Sequence, residues 1–338
     1  MTQPKLEFAR TTLQRIALVA LAAALTTCAA AQTMPAATPA AASPAAAPTQ
    51  TPPMNGIAHI AIRVQSIADS LAFYNKLGYQ QAFAWTRGDV TTQSFVKIND
   101  TQYIELYPAG PSGPPRTPAP DAAQAAAPGT APTAAPTPAR PPTPSTSSFM
   151  HLCFEGADLN ALHDFYVAEG LTPSAVNKAA AGNLLFVLRG PQQATSPQTI
   201  EYTQYMPGSK HTLDFGQHLS ADRVADKMIA VTLAMQDPAA ARDYYLTKLG
   251  FKPDARYKGW RDFLDLPGNS GEMVEIVPAA SLGIKSKILL TSPDIHHTGE
   301  LLKAKGVAFT DGDTITITDP DGNIIEIIPQ AGTFKGSM

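Results

Sequence analysis

A Glu-apolar-x-Pro signature recurs along this chain and narrows what it can fold into. Glu105-Leu106-Tyr107-Pro108, Glu275-Ile276-Val277-Pro278 and Glu326-Ile327-Ile328-Pro329 share it, and Thr199-Ile200-Glu201-Tyr202, running on to Met206-Pro207, is a looser copy. Ahead of each Glu lies an apolar-periodic segment that ends at a glycine: Gly78, Gly170, Gly250 and Gly306. Glycine accepts the left-handed conformation that stops a helix. A repeat of this size is a supersecondary unit that must bury its apolar face against a neighbouring copy.

The helix starts are also readable. Ser66 can cap the first helix, with Asp69 following; Asp237-Pro238 and Ser292-Pro293 place a capping side chain before a proline at the first helical position. Spacing supports each helix: Ile67, Leu71 and Tyr74; Leu159, Leu162 and Tyr166; Ala241, Tyr245 and Leu249; Ile295 and Leu302. Short alternating strands precede the helices at 57–64, 149–154, 229–235 and 287–291. Strand-like segments follow at 94–98, 184–188 and 314–318. Asp319-Pro320-Asp321-Gly322-Asn323 is a tight turn joining the last two strands of the fourth unit. Each unit therefore reads as βαβββ, and the fold class as α+β with four modules. One helix covers one face of each small sheet, and the other face is buried against a partner or left as a cleft.

Strand parity places the polar residues. Ile60, Ile62 and Val64 share the helix side, so His59, Ala61 and Arg63 face the open side. Ile104 and Leu106 likewise leave Tyr103, Glu105 and Tyr107 on the open face. Leu152 and Phe154 leave His151 there, and Ile200 and Tyr202 leave Glu201 there. Two imidazoles and two carboxylates suit one divalent ion such as Zn, Ni, Co, Mn or Fe(II). The competing reading is a hydrogen-bonded His–Glu pair without an ion. Tyr103, Arg63 and Trp85 are candidates to line the pocket, with ordinary sheet packing or surface exposure as the alternative.

The remaining sequence bounds the setting. Lys5, Arg10 and Arg15 precede an apolar run over 16–25 that is too short to span a bilayer, and Ala29-Ala30-Ala31 fits a cleavage site. Residues 1–31 thus read as an export signal. In a second reading, Leu25-Thr26-Thr27-Cys28 is a lipoprotein box and Cys28 carries a lipid anchor. Either way the protein is exported, to be periplasmic, secreted or held at a membrane without spanning it. The stretches 32–53 and 109–147 are nearly all Ala, Pro, Thr and Ser and read as a disordered tether and insertion. The modules then occupy 54–108, 148–208, 221–280 and 281–330. Of the two cysteines, Cys153 has no partner once Cys28 is removed or lipidated; it reads as a buried strand residue, with no disulfide expected. The net charge of −3 and the absence of a basic run beyond the N-terminus argue against nucleic acid. A small molecule is the expected partner, and nothing here indicates an oligomeric state.

Over roughly 54–108 and 148–330 the chain resembles the vicinal oxygen chelate superfamily, which includes glyoxalase I, bleomycin-resistance proteins and extradiol dioxygenases. The resemblance rests on Gly56-Ile57-Ala58-His59-Ile60-Ala61, Phe73-Tyr74-Asn75-Lys76-Leu77-Gly78-Tyr79 and Asp319-Pro320-Asp321-Gly322-Asn323-Ile324-Ile325-Glu326. It implies paired modules forming incomplete barrels, here two of them. In glyoxalase-like members each module of a pair gives a first-strand His or Gln and a last-strand Glu to a metal; His59, Glu105, His151 and Glu201 fall on those positions. The second half departs from this pattern. Ala230 or Val231 stands where the third module would have His and Lys287 where the fourth would, while Glu275 and Glu326 remain. That half is expected to be structural or substrate-shaping. His296 and His297 lie within the last helix and are expected to be exposed.

The resemblance implies a metal-dependent lyase or isomerase of glyoxalase type, with Glu105 or Glu201 as the general base. Export weakens a glutathione-hemithioacetal substrate. An extradiol dioxygenase is the alternative, although those enzymes hold iron in the second module pair. A binding protein of bleomycin-resistance type is a third reading, without turnover.

Overall fold

The computed structural model of the chain describes residues 50–109 and 148–332. The expected export signal and Cys28 lie outside the described residues, as do the Ala/Pro-rich stretches apart from 50–53 and 109. Among the described residues, no helix is long and apolar enough to cross a membrane.

The first unit opens with β1 (Met54–Val64). Ser66 caps α1 (Ile67–Lys76), its hydroxyl accepting from the Asp69 N–H. Gly78, at φ +87°, closes this helix. Its N–H donates to Asn75 O while the Tyr79 N–H reaches back to Tyr74 O, both at 3.0 Å, which satisfies carbonyls the helix end would strand. Three strands complete the unit: β2 (Gln80–Arg87), β3 (Val90–Lys97) and β4 (Tyr103–Pro108). The second unit is β5 (Phe149–Gly156), α2 (Leu159–Ala168), β6 (Asn177–Lys178), β7 (Leu184–Gln192) and β8 (Pro197–Gln204). A short helix, α3 (Lys210–Leu213), leads to β9 (Lys227–Met235), α4 (Pro238–Thr247), β10 (Lys252–Pro253), β11 (Phe263–Asp265) and β12 (Met273–Pro278). Another, α5 (Ala279–Leu282), leads to β13 (Lys287–Ser292), α6 (Ile295–Ala304), β14 (Ile315–Thr318) and β15 (Ile324–Pro329).

Two local expectations are corrected. Asp294, not Ser292, caps α6, its carboxylate accepting from the His297 N–H. The Ser292 hydroxyl is engaged elsewhere, accepting from the Asp294 N–H and bonding the Thr298 hydroxyl. The fourth unit also has two strands after its helix rather than three. Thr310 and Thr316 form an isolated bridge where the third would run.

The units pair into two sheets of matching plan. The first has order β2-β3-β4-β1-β5-β8-β7-β6 and the second β10-β11-β12-β9-β13-β15-β14. In each, the first strand of a unit runs parallel to that unit's last strand, and the two first strands meet antiparallel at the centre. This is the α+β arrangement of paired modules in two incomplete barrels. The β1–β5 seam carries three interruptions of register, at Met54/Gly56, Ile57/His59 and Ala61/Ile62.

The helix-side residues of both sheets share one core. Ile60, Ile62, Leu106, Leu152 and Ile200 from the first sheet join Val231, Leu233, Ile288, Leu290 and Ile327 from the second. Each such side chain contributes about 1.5–3 kcal/mol on burial. Polar links cross this core: the Tyr74 hydroxyl donates to Asp319 at 3.4 Å, and the Tyr245 hydroxyl donates to Gln198 at 3.0 Å. A separate cluster of Ile229, Ala230, Tyr257, Phe263, Met273, Leu289 and Ile328 fills the open face of the second sheet.

Candidate metal centre

The open face of the first sheet is assembled by register. Across one row, Tyr103, His59, Cys153 and Glu201 are successive partners; across the next, Phe95, Glu105, Ala61 and His151 are. Side chains in such rows share a face. Ala61, between Glu105 and His151, projects only a methyl group and leaves room above itself. The four side chains named from the sequence converge there. His59 Nε2 lies 3.1 Å from His151 Nε2. Glu105 Oε2 lies 3.2 Å from the first and 3.3 Å from the second. Glu201 stands slightly further out, 3.7 Å from His59 and 3.8 Å from His151. His59, Glu105 and His151 are buried, whereas the Glu201 side chain is 18% exposed.

These residues fit a divalent ion. A triangle of donors with sides near 3.2 Å is the face of a tetrahedron whose centre lies about 2.0 Å from each corner, the usual length of zinc bonds to nitrogen and oxygen. Glu105 Oε2 and His59 Nδ1 are buried without hydrogen-bond partners. The other Glu105 oxygen is fixed from behind: the Gln93 amide donates to it, and the Tyr107 hydroxyl does so at 2.8 Å. Such outer contacts orient a ligand. Burial opposes ionisation of Glu105, but the His59 and His151 imidazoles outweigh it and hold the carboxyl well below the usual range. Burial also opposes charge on His151, yet Glu105 and Glu201 together raise its value.

The sequence reading missed several members of the site. Cys153 Sγ lies 3.5 Å from Glu201 Oε1. The alternation that exposes His151 to the open face also exposes Cys153, so parity carried that signal. Gln93 had no comparable marker, since its contact with Glu105 depends on where the neighbouring strand is brought. His211, on four-residue α3, is buried beside Phe83, Phe95, Tyr103 and Tyr205, with ring centroids 4.7–5.4 Å away. The Asn183 amide donates to its Nδ1 at 2.8 Å, while the Met206 N–H fixes the Asn183 carbonyl oxygen. His211 Nε2 therefore carries the hydrogen, and it has no partner. Burial, then the nearby His59, lowers the His211 value to about 3, so this imidazole is neutral. Of the suggested lining residues, Tyr103 is buried against these rings, Trp85 is half-buried under the Lys210 ammonium at 4.7 Å, and Arg63 is half-buried on β1. His296 and His297 are exposed on α6.

The second sheet has the same register and different occupants. Ala230 and Thr232 pair with Met273 and Glu275 as His59 and Ala61 pair with Tyr103 and Glu105. Of the two residues considered, Ala230 thus holds the place of His59. Lys287 Nζ lies 3.0 Å from Glu326 and 3.4 Å from Glu275. Arg261 forks onto both Glu326 oxygens and approaches Glu275 at 3.5 Å, and the Thr232 hydroxyl donates to Glu275 at 2.6 Å. Protein cations fill the space between these carboxylates.

The chain matches the profile of the Glyoxalase/Bleomycin resistance protein/Dioxygenase superfamily over residues 56–193 and 227–327. It belongs to that superfamily. No curated protein sequence matches it. Among solved structures, it is similar to a Mn(II)-bound glyoxalase from Novosphingobium aromaticivorans, with TM-score 0.56 and 12% identity over 85% of this chain and 86% of that one. It is also similar to an extradiol ring-cleaving dioxygenase from Brevibacterium fuscum, with TM-score 0.54 and 13% identity over 86% of this chain and 76% of that one. At these identities the likeness concerns the fold. Within the superfamily's paired-module plan, the imidazole-bearing face here belongs to the first pair.

Proposed function

We propose that this chain is a divalent-metal-dependent enzyme acting on a small molecule with adjacent oxygen atoms, in the first reading as a lyase or isomerase of glyoxalase type. The observation that carries the proposal is the triangle of His59 Nε2, His151 Nε2 and Glu105 Oε2 with sides of 3.1–3.3 Å. His59, Glu105, His151 and Glu201 would hold the ion. A bound divalent ion supplies Lewis-acid stabilisation of negative charge developing on a substrate oxygen.

The two carboxylates suit different tasks. Glu105 is clamped by Gln93 and Tyr107 and held well below the usual carboxylate range, so it is a weak base and a fixed anchor. Glu201 is the more exposed, lies furthest from the imidazoles and accepts from the Cys153 thiol at 3.5 Å. Glu201 is therefore the residue assigned to move the proton, as general base. Export belongs to the same proposal; the charged start, apolar run and Ala29-Ala30-Ala31 support it.

A second reading, an extradiol-type dioxygenase, is favoured by one feature. The tightest donors are two His and one Glu, the set that holds non-haem Fe(II) in oxygenases, with Glu201 outlying. Elemental analysis of the purified mature protein separates the readings. About one ion per chain is expected. Nickel or zinc supports the lyase or isomerase, oxygen-sensitive Fe(II) with oxygen uptake on catechols supports the dioxygenase, and no ion under any loading condition supports ligand sequestration without turnover. Full occupancy in a His59→Ala/His151→Ala double variant would overturn the site assignment.

A further inference from the structure

Cys153 is the fully buried residue between His59 and Glu201 on the open face. Its Sγ lies 3.5 Å from Glu201 Oε1, and His59, Cys153 and Glu201 each offer a ligand atom within 4.8 Å of the others. His59 is thus shared by two donor trios, the second being His59, Glu105 and His151. An ion bound at about 2.3 Å to sulfur and about 2.1 Å to oxygen in tetrahedral geometry sets those two atoms about 3.5–3.6 Å apart. The thiol stands at that separation. Glu105 Oε2, in the trio that shares His59, is buried and faces the two imidazole nitrogens at 3.2–3.3 Å.

We infer that the Cys153 sulfur is a donor atom on the His59–Glu201 side of the metal centre, so that the site takes a thiophilic divalent ion such as Zn(II) or Co(II) ahead of Mn(II) or Mg(II). The inference rests on the proposed metal centre and adds to it the chemical class of ion. Oxygen and imidazole donors alone accept ions across the first-row series, whereas a thiolate biases the choice towards softer ions. Coordination replaces the S–H bond to Glu201, and the thiol proton leaves to solvent, as metal binding by cysteine requires. Freed of that bond, Glu201 has one fewer hydrogen holding it in place. In the alternative, Cys153 is a small strand residue whose thiol hydrogen-bonds to Glu201 and touches no ion.

Cobalt(II) loading of the full chain distinguishes these. The wild-type protein is expected to take up one Co(II) and show the intense near-ultraviolet thiolate-to-cobalt absorption. Cys153→Ser, which keeps the size and a hydrogen-bonding hydroxyl, is expected to retain Co(II) without that absorption. It should also bind Zn(II) at least about tenfold more weakly while Mn(II) affinity changes little. Cys153→Ala gives the same comparison without a hydroxyl; should both variants fail to fold, the spectrum of the Cys28→Ser chain, whose one thiol is Cys153, decides. Stoichiometric Co(II) with no thiolate absorption in the wild type would overturn this inference and leave the centre standing. Failure of the wild type to bind any divalent ion would overturn both.

Discussion

Lys287 holds in the second sheet the register position that His151 holds in the first. His151 stands two residues before Cys153, the partner of Glu201, and Lys287 stands two residues before Leu289, the partner of Glu326. One side chain ends in a nitrogen that can bind a metal, the other in an amine group 3.0 Å from Glu326. The two sheets thus meet the same need, paired carboxylates on an open face, by different means. Lys287→Ala would leave Glu275 and Glu326 facing each other with Arg261 alone between them. Breaking a buried ion pair costs about 3–5 kcal/mol, and partial exposure here reduces the expected loss to about 2 kcal/mol. Denaturant unfolding should show that loss, and elemental analysis should show no change in metal content.

Gln93 touches Glu105 from the side away from the centre. Gln93→Leu removes that donor and leaves every proposed ligand in place. Metal affinity is expected to fall by about 10–100-fold, measured by competition with a chelator, with the circular dichroism spectrum unchanged. Unchanged affinity would show that Tyr107 alone suffices to orient Glu105.

The centre also predicts how metal stabilisation depends on pH. His151 is raised above its ordinary 6.5, so its protonated form stabilises the metal-free fold at low pH, and that contribution is lost as pH rises through the folded value. Glu105 is depressed, so its contribution is present above the ordinary carboxylate range and is lost as pH falls through the folded value. A metal ion must displace the imidazolium proton. The increase in Tm on adding Zn(II) is therefore expected to grow between about pH 5.5 and pH 8. An increment that shrinks over that interval would contradict the ligand set.

Glu272 gives a pH effect independent of metal. Burial pushes its carboxyl up to about 7, with the Ile57 N–H and Lys227 opposing. Since the folded value exceeds the ordinary 4.5, the charged form is disfavoured in the fold; the penalty is absent below about pH 4.5 and complete above about pH 7. Glu272→Gln keeps an acceptor for Ile57 and is expected to be about 1–3 kcal/mol more stable than wild type at pH 8, and nearly equal at pH 4.5. Thermal unfolding of both proteins across this range is the check.

The same contact explains Gly56. Its φ is +152°, and a Cβ there would fall 2.6 Å from Glu272 Oε2. Gly56→Ala is expected to destabilise the fold by about 1–3 kcal/mol. Part of that loss should be recovered in Gly56→Ala/Glu272→Ala, where the collision is relieved but the backbone strain persists.

What was legible in the sequence was whatever repeats or alternates. His59 and Glu105 were readable because Ile60, Ile62, Ile104 and Leu106 flank them at strand period, and the four units were readable from Glu-apolar-x-Pro and the helix-ending glycines. Position-specific competition was less legible. Ser292 satisfies the usual rule for a cap, but Asp294 lies nearer the helix and its carboxylate reaches the free N–H. Arg261 sits in the loop between β10 and β11, and no periodicity announces that its guanidinium returns to Glu326. His211 likewise depends on the chain after β8 folding back over rings from β2, β3 and β4. Cys153 was legible by parity and was read as packing alone, because its relation to Glu201 appears only once β5 and β8 are aligned.

The three interruptions in the β1–β5 seam act as a key in a keyway. A uniform ladder can mate at several settings; one whose spacing is broken at Gly56, His59 and Ile62 mates at one. A slip by a single residue would turn His151 towards the helices, and a slip by two would carry it about 7 Å along the strand. In either case the two imidazoles would no longer converge, and a one-residue slip would also carry Leu152 and Phe154 out of the core. Coordination of an ion by both imidazoles is therefore a test of assembly, one that only correctly registered chains pass.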